Sequence, residues 1–154
     1  MSKNLSLYIS HPLSGLTVEE VDEWYERWIN RFKDKGFRVF DPISMQSALK
    51  NMKNTTLGHT VPDGLGGITN DKAIFERDKW AVTQADIILV DLSTATKVSI
   101  GCLSELIIAH TLNKHTITIM DKHNCHWHSF IIQASAIILD TMDEASHYLE
   151  ALNK

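Results

Sequence analysis

Residues 77–110 read RDKWAVTQADIILVDLSTATKVSIGCLSELIIAH, and this stretch decides the fold. Ile87, Ile88, Leu89, Val90 and Leu92 make a short, almost continuous apolar run with β-branched content, the pattern of a strand covered on both faces in a parallel sheet. Residues 93–98 are polar and read as a loop. Ser99 stands where an N-cap belongs, ahead of a helix predicted over 100–113. The apolar positions of that helix, Ile100, Leu103, Leu106, Ile107 and His110, keep a helical period. Upstream, residues 71–83 read as another helix, capped by Thr69 or Asn70. Helix, buried strand, polar loop and helix form the layout of an α/β site, and two carboxylates fall within it.

Glu105 lies in the early turns of its helix, where the positive end of the macrodipole predicts that it stays ionised. Gly101, four residues earlier, lets a ligand or another backbone approach the mouth of the helix. Asp78 interrupts an apolar stripe of Ile74, Ala81 and Val82, flanked by Phe75, while Arg77, Lys79 and Trp80 are read as facing elsewhere. A carboxylate placed so needs a partner or lines a polar cavity. Taken locally, Glu105 also reads as a surface residue, Gly101 as a packing glycine and Asp78 as a buried acid satisfied by a backbone N–H.

Outward from this unit, strands and helices alternate. Residues 5–9 form the first strand, and it runs into Ser10, His11, Pro12, Leu13, Ser14 and Gly15, a loop of the kind that opens onto a ligand. Thr17 and Glu20 form a capping box. Val18, Val21, Trp24, Tyr25, Trp28, Ile29 and Phe32 then repeat at threes and fours until Gly36, which makes the two tryptophans core residues. Residues 37–40 are a second strand. Residues 43–68 lack periodicity and read as an irregular insert, a lid over the site. Residues 116–120 are a buried strand, 130–134 a short helix and 136–139 a last strand, and Thr141 with Glu144 caps a helix running through residue 152. The loop at 121–128 holds His123, Cys125, His126 and His128, yet lacks the paired ligands of a structural zinc site, so no metal is expected. The pattern predicts a single doubly wound, flavodoxin-like α/β domain with a parallel five-stranded sheet of order 2-1-3-4-5. Its switch point, between the first and third strands, gathers the 10–15 loop, the 93–101 segment and Glu105 at one crevice.

The 154 residues, 44% hydrophobic and 22% charged, suffice for one domain with its own core. A net charge of −4 with no basic cluster excludes a nucleic-acid polymer as partner. Two cysteines, Cys102 and Cys125, make no disulfide framework, the amino terminus carries no signal pattern, and no apolar run reaches the ~18 residues of a membrane span. A cytoplasmic protein that contacts no membrane is expected.

Three segments in order carry a resemblance: Y-I-S-x-P-L from Tyr8, R-D followed by Q-A-D from Arg77 to Asp86, and S-I-G-x-x-x-E-L-x-x-A from Ser99. The set resembles the nucleoside 2-deoxyribosyltransferase superfamily over most of the chain, the 43–68 insert excepted. The resemblance implies that Glu105 is the nucleophile on the sugar's anomeric carbon, that Asp78 handles the base and that Tyr8 orients Glu105. It implies substrate contacts at Ser10, His11, Pro12, Ser14, Gly15, Ser99, Gly101, His128 and Ser129, and no cofactor. The partner is then a small nucleoside or nucleotide. The first expectation is transfer of 2-deoxyribose between nucleobases through a covalent deoxyribosyl–glutamate intermediate. The alternative is a 2′-deoxynucleoside 5′-monophosphate N-glycosidase. Ser99 stands where such hydrolases carry a phosphate-contacting serine and transferases often an aspartate, whereas Ser14 replaces their arginine and His11 a small residue. A third reading is a nucleotide-binding module without turnover. The resemblance also implies a homo-oligomer with a shared site, the 121–129 loop with Trp127 helping to close the site of a neighbouring subunit.

Overall fold

The computed structural model describes residues 4–40 and 71–154; the 43–68 insert and the Thr69 or Asn70 cap lie outside the described residues. Among the described residues, five strands and five helices alternate: β1 (Ser6–Ser10), α1 (Val18–Asp34), β2 (Arg38–Phe40), α2 (Asp71–Gln84), β3 (Ile87–Asp91), α3 (Ile100–Thr111), β4 (His115–Ile119), α4 (Ser129–Ala134), β5 (Ile137–Leu139) and α5 (Met142–Leu152). The strands pair in the order β2-β1-β3-β4-β5, every pair parallel. This is the flavodoxin-like arrangement the sequence pattern predicts, with its switch point between β1 and β3. Among the described residues, no helix is long and apolar enough to cross a membrane.

Both capping boxes form: Thr17 Oγ1 accepts the Glu20 N–H and Thr141 Oγ1 the Glu144 N–H, each at 3.2 Å. Helix α1 ends on Gly36 (φ +86°), where the Phe37 N–H reaches back to Phe32 O at 3.1 Å. Asn113, which the periodicity places inside α3, takes the same left-handed position (φ +54°), and the Lys114 N–H returns to Ala109 O at 2.9 Å. An asparagine tolerates this conformation better than other side chains, so α3 stops earlier than its apolar period suggests.

Strand alternation divides the core in two. Leu7, Ile9, Ile87, Leu89, Ile117 and Ile119 face α1 and α5, packing on Val21, Tyr25, Trp28, Ile29, Phe32, Met142, Ala145 and Leu149. Tyr8, Ile88 and Val90 face the other way, onto Ala81 and Val82 of α2, Cys102, Leu106 and Ala109 of α3, and Ile131 and Ala134 of α4. The buried face of α3 is therefore Cys102, Leu106 and Ala109, and Ile100, Ile107 and His110 are exposed. This corrects the predicted face. Apolar residues surround much of α3, so their spacing alone does not fix which side turns inward.

At the opposite end of the sheet, Asp86 Oδ2 accepts the Ser6 N–H at 2.9 Å and the Ser6 Oγ–H at 2.7 Å, while the Asp86 N–H donates to Ser6 Oγ at 3.0 Å. The aspartate of Q-A-D is thus a clasp between the starts of β1 and β3.

Phe32 is fully buried between Trp28 and Phe37. Phe32→Ala is expected to lose about 3–5 kcal/mol in urea unfolding, and Ile100→Ala, at an exposed position, under about 0.5 kcal/mol. Equal losses at the two sites contradict the core assignment.

Candidate active site

The period of β1 sends Tyr8 and Ser10 to the same face, toward α3. There they meet Glu105. The Tyr8 hydroxyl donates to Glu105 Oε1 at 2.8 Å, and the Ser10 hydroxyl donates to Oε2. A hydroxyl thus holds each carboxylate oxygen, which fixes the plane of the group. Burial pushes the Tyr8 phenol well above its ordinary range, with Glu105 and Asp78 adding to the shift, so it stays a donor.

The carboxyl of Glu105 lies deep in the protein, yet the residue as a whole keeps some exposure. Burial raises it from 4.5 to about 7; the Ser10 hydrogen bond opposes this, the charge of Asp78 adds to it and the Tyr8 hydrogen bond opposes it again. The expectation that Glu105 simply stays ionised is corrected. The macrodipole acts within the first helical turn, and Glu105 is six residues past the Ser99 N-cap.

Asp78, on α2, is raised to about 6, chiefly by burial and against the pull of Arg77. Its Oδ1 accepts from Arg77 Nε and Nη2, both at 3.4 Å. Helical spacing alone turns Arg77 away from Asp78, but its side chain is only 13% exposed and lies against Asp78. A long arginine stem can fold back along its own helix, and an i, i+1 contact of this kind leaves no trace in the helical period. Around neutrality the two carboxyls therefore retain protons that ordinary surface acids would lose.

The remaining expected residues divide into four groups. Ser99 caps α3, its side chain accepting the Cys102 N–H at 3.4 Å, and a Cβ built on Gly101 meets nothing within 4 Å, so the mouth of the helix is open. His11 is buried: it packs on Trp24 at 4.1 Å between ring centroids, and its Nδ1–H donates to Pro12 O at 2.8 Å. Its Nε2 stands 4.0 Å from Asp91 Oδ2, and Asp91 Oδ1 accepts the N–H and the hydroxyl of Ser93. Burial lowers the His11 pKa, opposed by Asp91. Ser14 and Gly15 (φ +93°) form an exposed turn. His128 and Ser129 are exposed at the start of α4, where His128 Nδ1 accepts the Phe130 N–H at 3.2 Å.

Asp91 and His126 carry no local sequence signal of their contacts, the first lying inside an apolar run and the second within a histidine-rich loop. Cys102, one turn before Glu105, has its thiol pushed up to about 12, chiefly by burial, which leaves it inert as a nucleophile. Among the described residues, no group of three His, Cys, Asp or Glu side chains is arranged to hold a metal ion.

No protein-family model matches the chain, and no curated protein is similar to it in sequence. Among solved structures, it is similar to the Clostridium botulinum CMP N-glycosidase BcmB, with a TM-score of 0.56 and 14% identity over 96% of this chain and 98% of that one. It is similar too to a conserved protein from Enterococcus faecalis V583, with a TM-score of 0.62 and 11% identity over 97% and 99% of the two chains. At these identities the likeness is one of fold.

A raised carboxyl costs stability where it must ionise. The folded protein holds the Glu105 proton up to about pH 7, whereas an unfolded chain releases it near 4.5, so folding stability falls as pH rises through this window. At about 1.4 kcal/mol per pH unit the cost above pH 7 is about 3 kcal/mol. Glu105→Gln is expected to remove it, making the variant more stable than the wild type at about pH 8 and little different at about pH 4.5. Parallel pH profiles of thermal unfolding rule this out.

Proposed function

We propose that the crevice cleaves the N-glycosidic bond of a 2′-deoxynucleoside through a covalent deoxyribosyl ester of Glu105 and passes the sugar to another nucleobase. The observation that carries this reading is the Glu105 carboxyl gripped at both oxygens by Tyr8 and Ser10, with the protonatable Asp78 nearby. An ionised Glu105 oxygen attacks C1′ as the bond from C1′ to the base nitrogen breaks. The electron pair leaves with the base, which takes the proton of Asp78, and Tyr8 and Ser10 keep the attacking group aligned. A second base then attacks C1′ through its ring nitrogen, returns its N–H proton to the Asp78 carboxylate and releases Glu105. Ser99, at the open mouth of α3, takes the 5′ substituent of the sugar.

Hydrolysis of a 5′-monophosphate is the second reading, with water in place of the acceptor base. It is favoured by a serine at a helix N-terminus, a setting suited to phosphate, and by the likeness in fold to a CMP N-glycosidase. Incubation with each deoxynucleoside and monophosphate, with and without a free base, followed by chromatography, separates the two: transfer needs the acceptor and hydrolysis does not. Silence under every condition leaves only a binding module.

In this reading Glu105→Gln falls below about one thousandth of wild-type turnover, and Asp78→Asn spares substrates with good leaving groups. The productive form has Glu105 ionised and Asp78 protonated. With the two held at about 7 and about 6, its population peaks between those values and stays a minority, so kcat/KM follows a narrow bell. A profile level from about pH 5 to about 9 excludes this pairing of roles.

A second copy of the chain belongs to the same reading. Ile100 and Phe130 are 77% and 74% exposed, and Val98, Ile107 and Trp127 are also exposed, on α3, α4 and the loops before them. Apolar surface of this extent suits self-association, and His128 and Ser129 adjoin it. Light scattering is expected to give a dimer or larger, and mixing inactive Glu105→Ala with inactive Ser129→Ala to restore activity. An active monomer at working dilution defeats the proposal.

A further inference from the structure

The loop between β4 and α4 is fastened to the loop between β3 and α3. Asn124 Nδ2 donates to Leu92 O at 2.7 Å, at the end of β3. Asn124 Oδ1 accepts the His126 N–H at 2.9 Å and the His126 Nδ1–H at 2.8 Å. His126 Nε2 accepts the Ser99 N–H at 2.8 Å, across 27 residues of chain. Only one form of the ring satisfies every bond: because a backbone N–H can only donate, Nε2 is bare and the proton sits on Nδ1, facing the asparagine oxygen. The His126 residue is 2% exposed, and burial lowers its pKa, which keeps it neutral. The Cys125 thiol adds a weak contact to Ala95 O at 3.7 Å.

We propose that His126 is a positioning residue for substrate binding: its bare Nε2 holds the Ser99 amide and so sets the rim that receives the 5′ substituent of the sugar. The proposal rests on the function proposed above and adds the device that places Ser99. Fixing Ser99 does two things. It consumes an amide that would otherwise turn toward solvent, and it anchors the residue whose side chain caps α3. The next two amides, at Ile100 and Gly101, have no carbonyl partner within the helix, and the space beside Gly101 is open. The loop that carries His128 and Ser129 is thereby tied to the helix that carries Glu105. Asn124 acts one step further back, by choosing the tautomer.

The test compares His126→Gln, whose side-chain oxygen reaches the place of Nε2, with His126→Asn, whose shorter side chain reaches only that of Nδ1. Steady-state kinetics use a 2′-deoxynucleoside and its 5′-monophosphate. Asn is expected to raise KM for the monophosphate about three- to tenfold, the size of one lost neutral hydrogen bond, with less effect on the nucleoside and little on kcat. Gln is expected to restore most of that loss. Equal losses in the two variants, or a fall in kcat for both substrates at unchanged KM, overturn the role. Nitrogen NMR of the wild-type histidines decides independently of folding in the variants. A bare Nε2 and protonated Nδ1 at His126 support the proposal, and a protonated Nε2 overturns it while leaving the functional reading intact. A wild-type protein that cleaves neither substrate overturns the functional reading and this role with it.

Discussion

A central strand in a parallel sheet has to turn successive residues to opposite faces, and β1 carries both halves of that constraint within five residues. Leu7 and Ile9 complete the core beneath α1 and α5, while Tyr8 and Ser10 bring two hydroxyls to one carboxylate on α3. The grip on Glu105 follows from the pleat. No loop has to be ordered to place these donors, because the strand that positions them is hydrogen-bonded on both sides. Groups mounted on regular elements hold their geometry better than groups on loops.

Such a site works against the stability of the molecule that houses it. Burying Glu105 and Asp78 raises both pKa values, and the Tyr8 and Ser10 hydrogen bonds recover only part of what desolvation removes from Glu105. An apolar residue in either place would satisfy the core. Both carboxyls are instead held with proton affinities close to neutrality, which is what the proposed division of roles between them requires.

The sheet order and both capping boxes were legible because each depends on residues close in sequence or on simple alternation. Tyr8, Asp78 and Glu105 stand out in the sequence as well, through the motif order and the awkwardness of a carboxylate in an apolar stripe, whereas Ser10, expected as a substrate contact, turns its hydroxyl onto Glu105. What escaped is physically of one kind. The inward face of α3 is set by packing rather than spacing, because apolar residues occupy more than one side of the helix and the polar Glu105 belongs to the buried one. Arg77 reached Asp78 by folding along its own helix. The bond from His126 to Ser99 spans two loops, and a histidine among other histidines looked like an aborted metal site until its neighbours in space were known. Tertiary contacts between loops have no periodicity from which to be read.

The clasp between Asp86 and Ser6 lies at the far end of the strands from Glu105, yet the grip on Glu105 depends on it through registry. A slip of β1 by one residue presents Leu7 and Ile9 to Glu105 and drives Tyr8 and Ser10 into the packing of α1 and α5. The misaligned chain then holds an ungripped acid against hydrocarbon and an aspartate without its serine. Both faults are costly, so a chain that settles out of step is poorly trapped and readily reopens. The registry of β1 and the grip on Glu105 are in this way secured by one short strand.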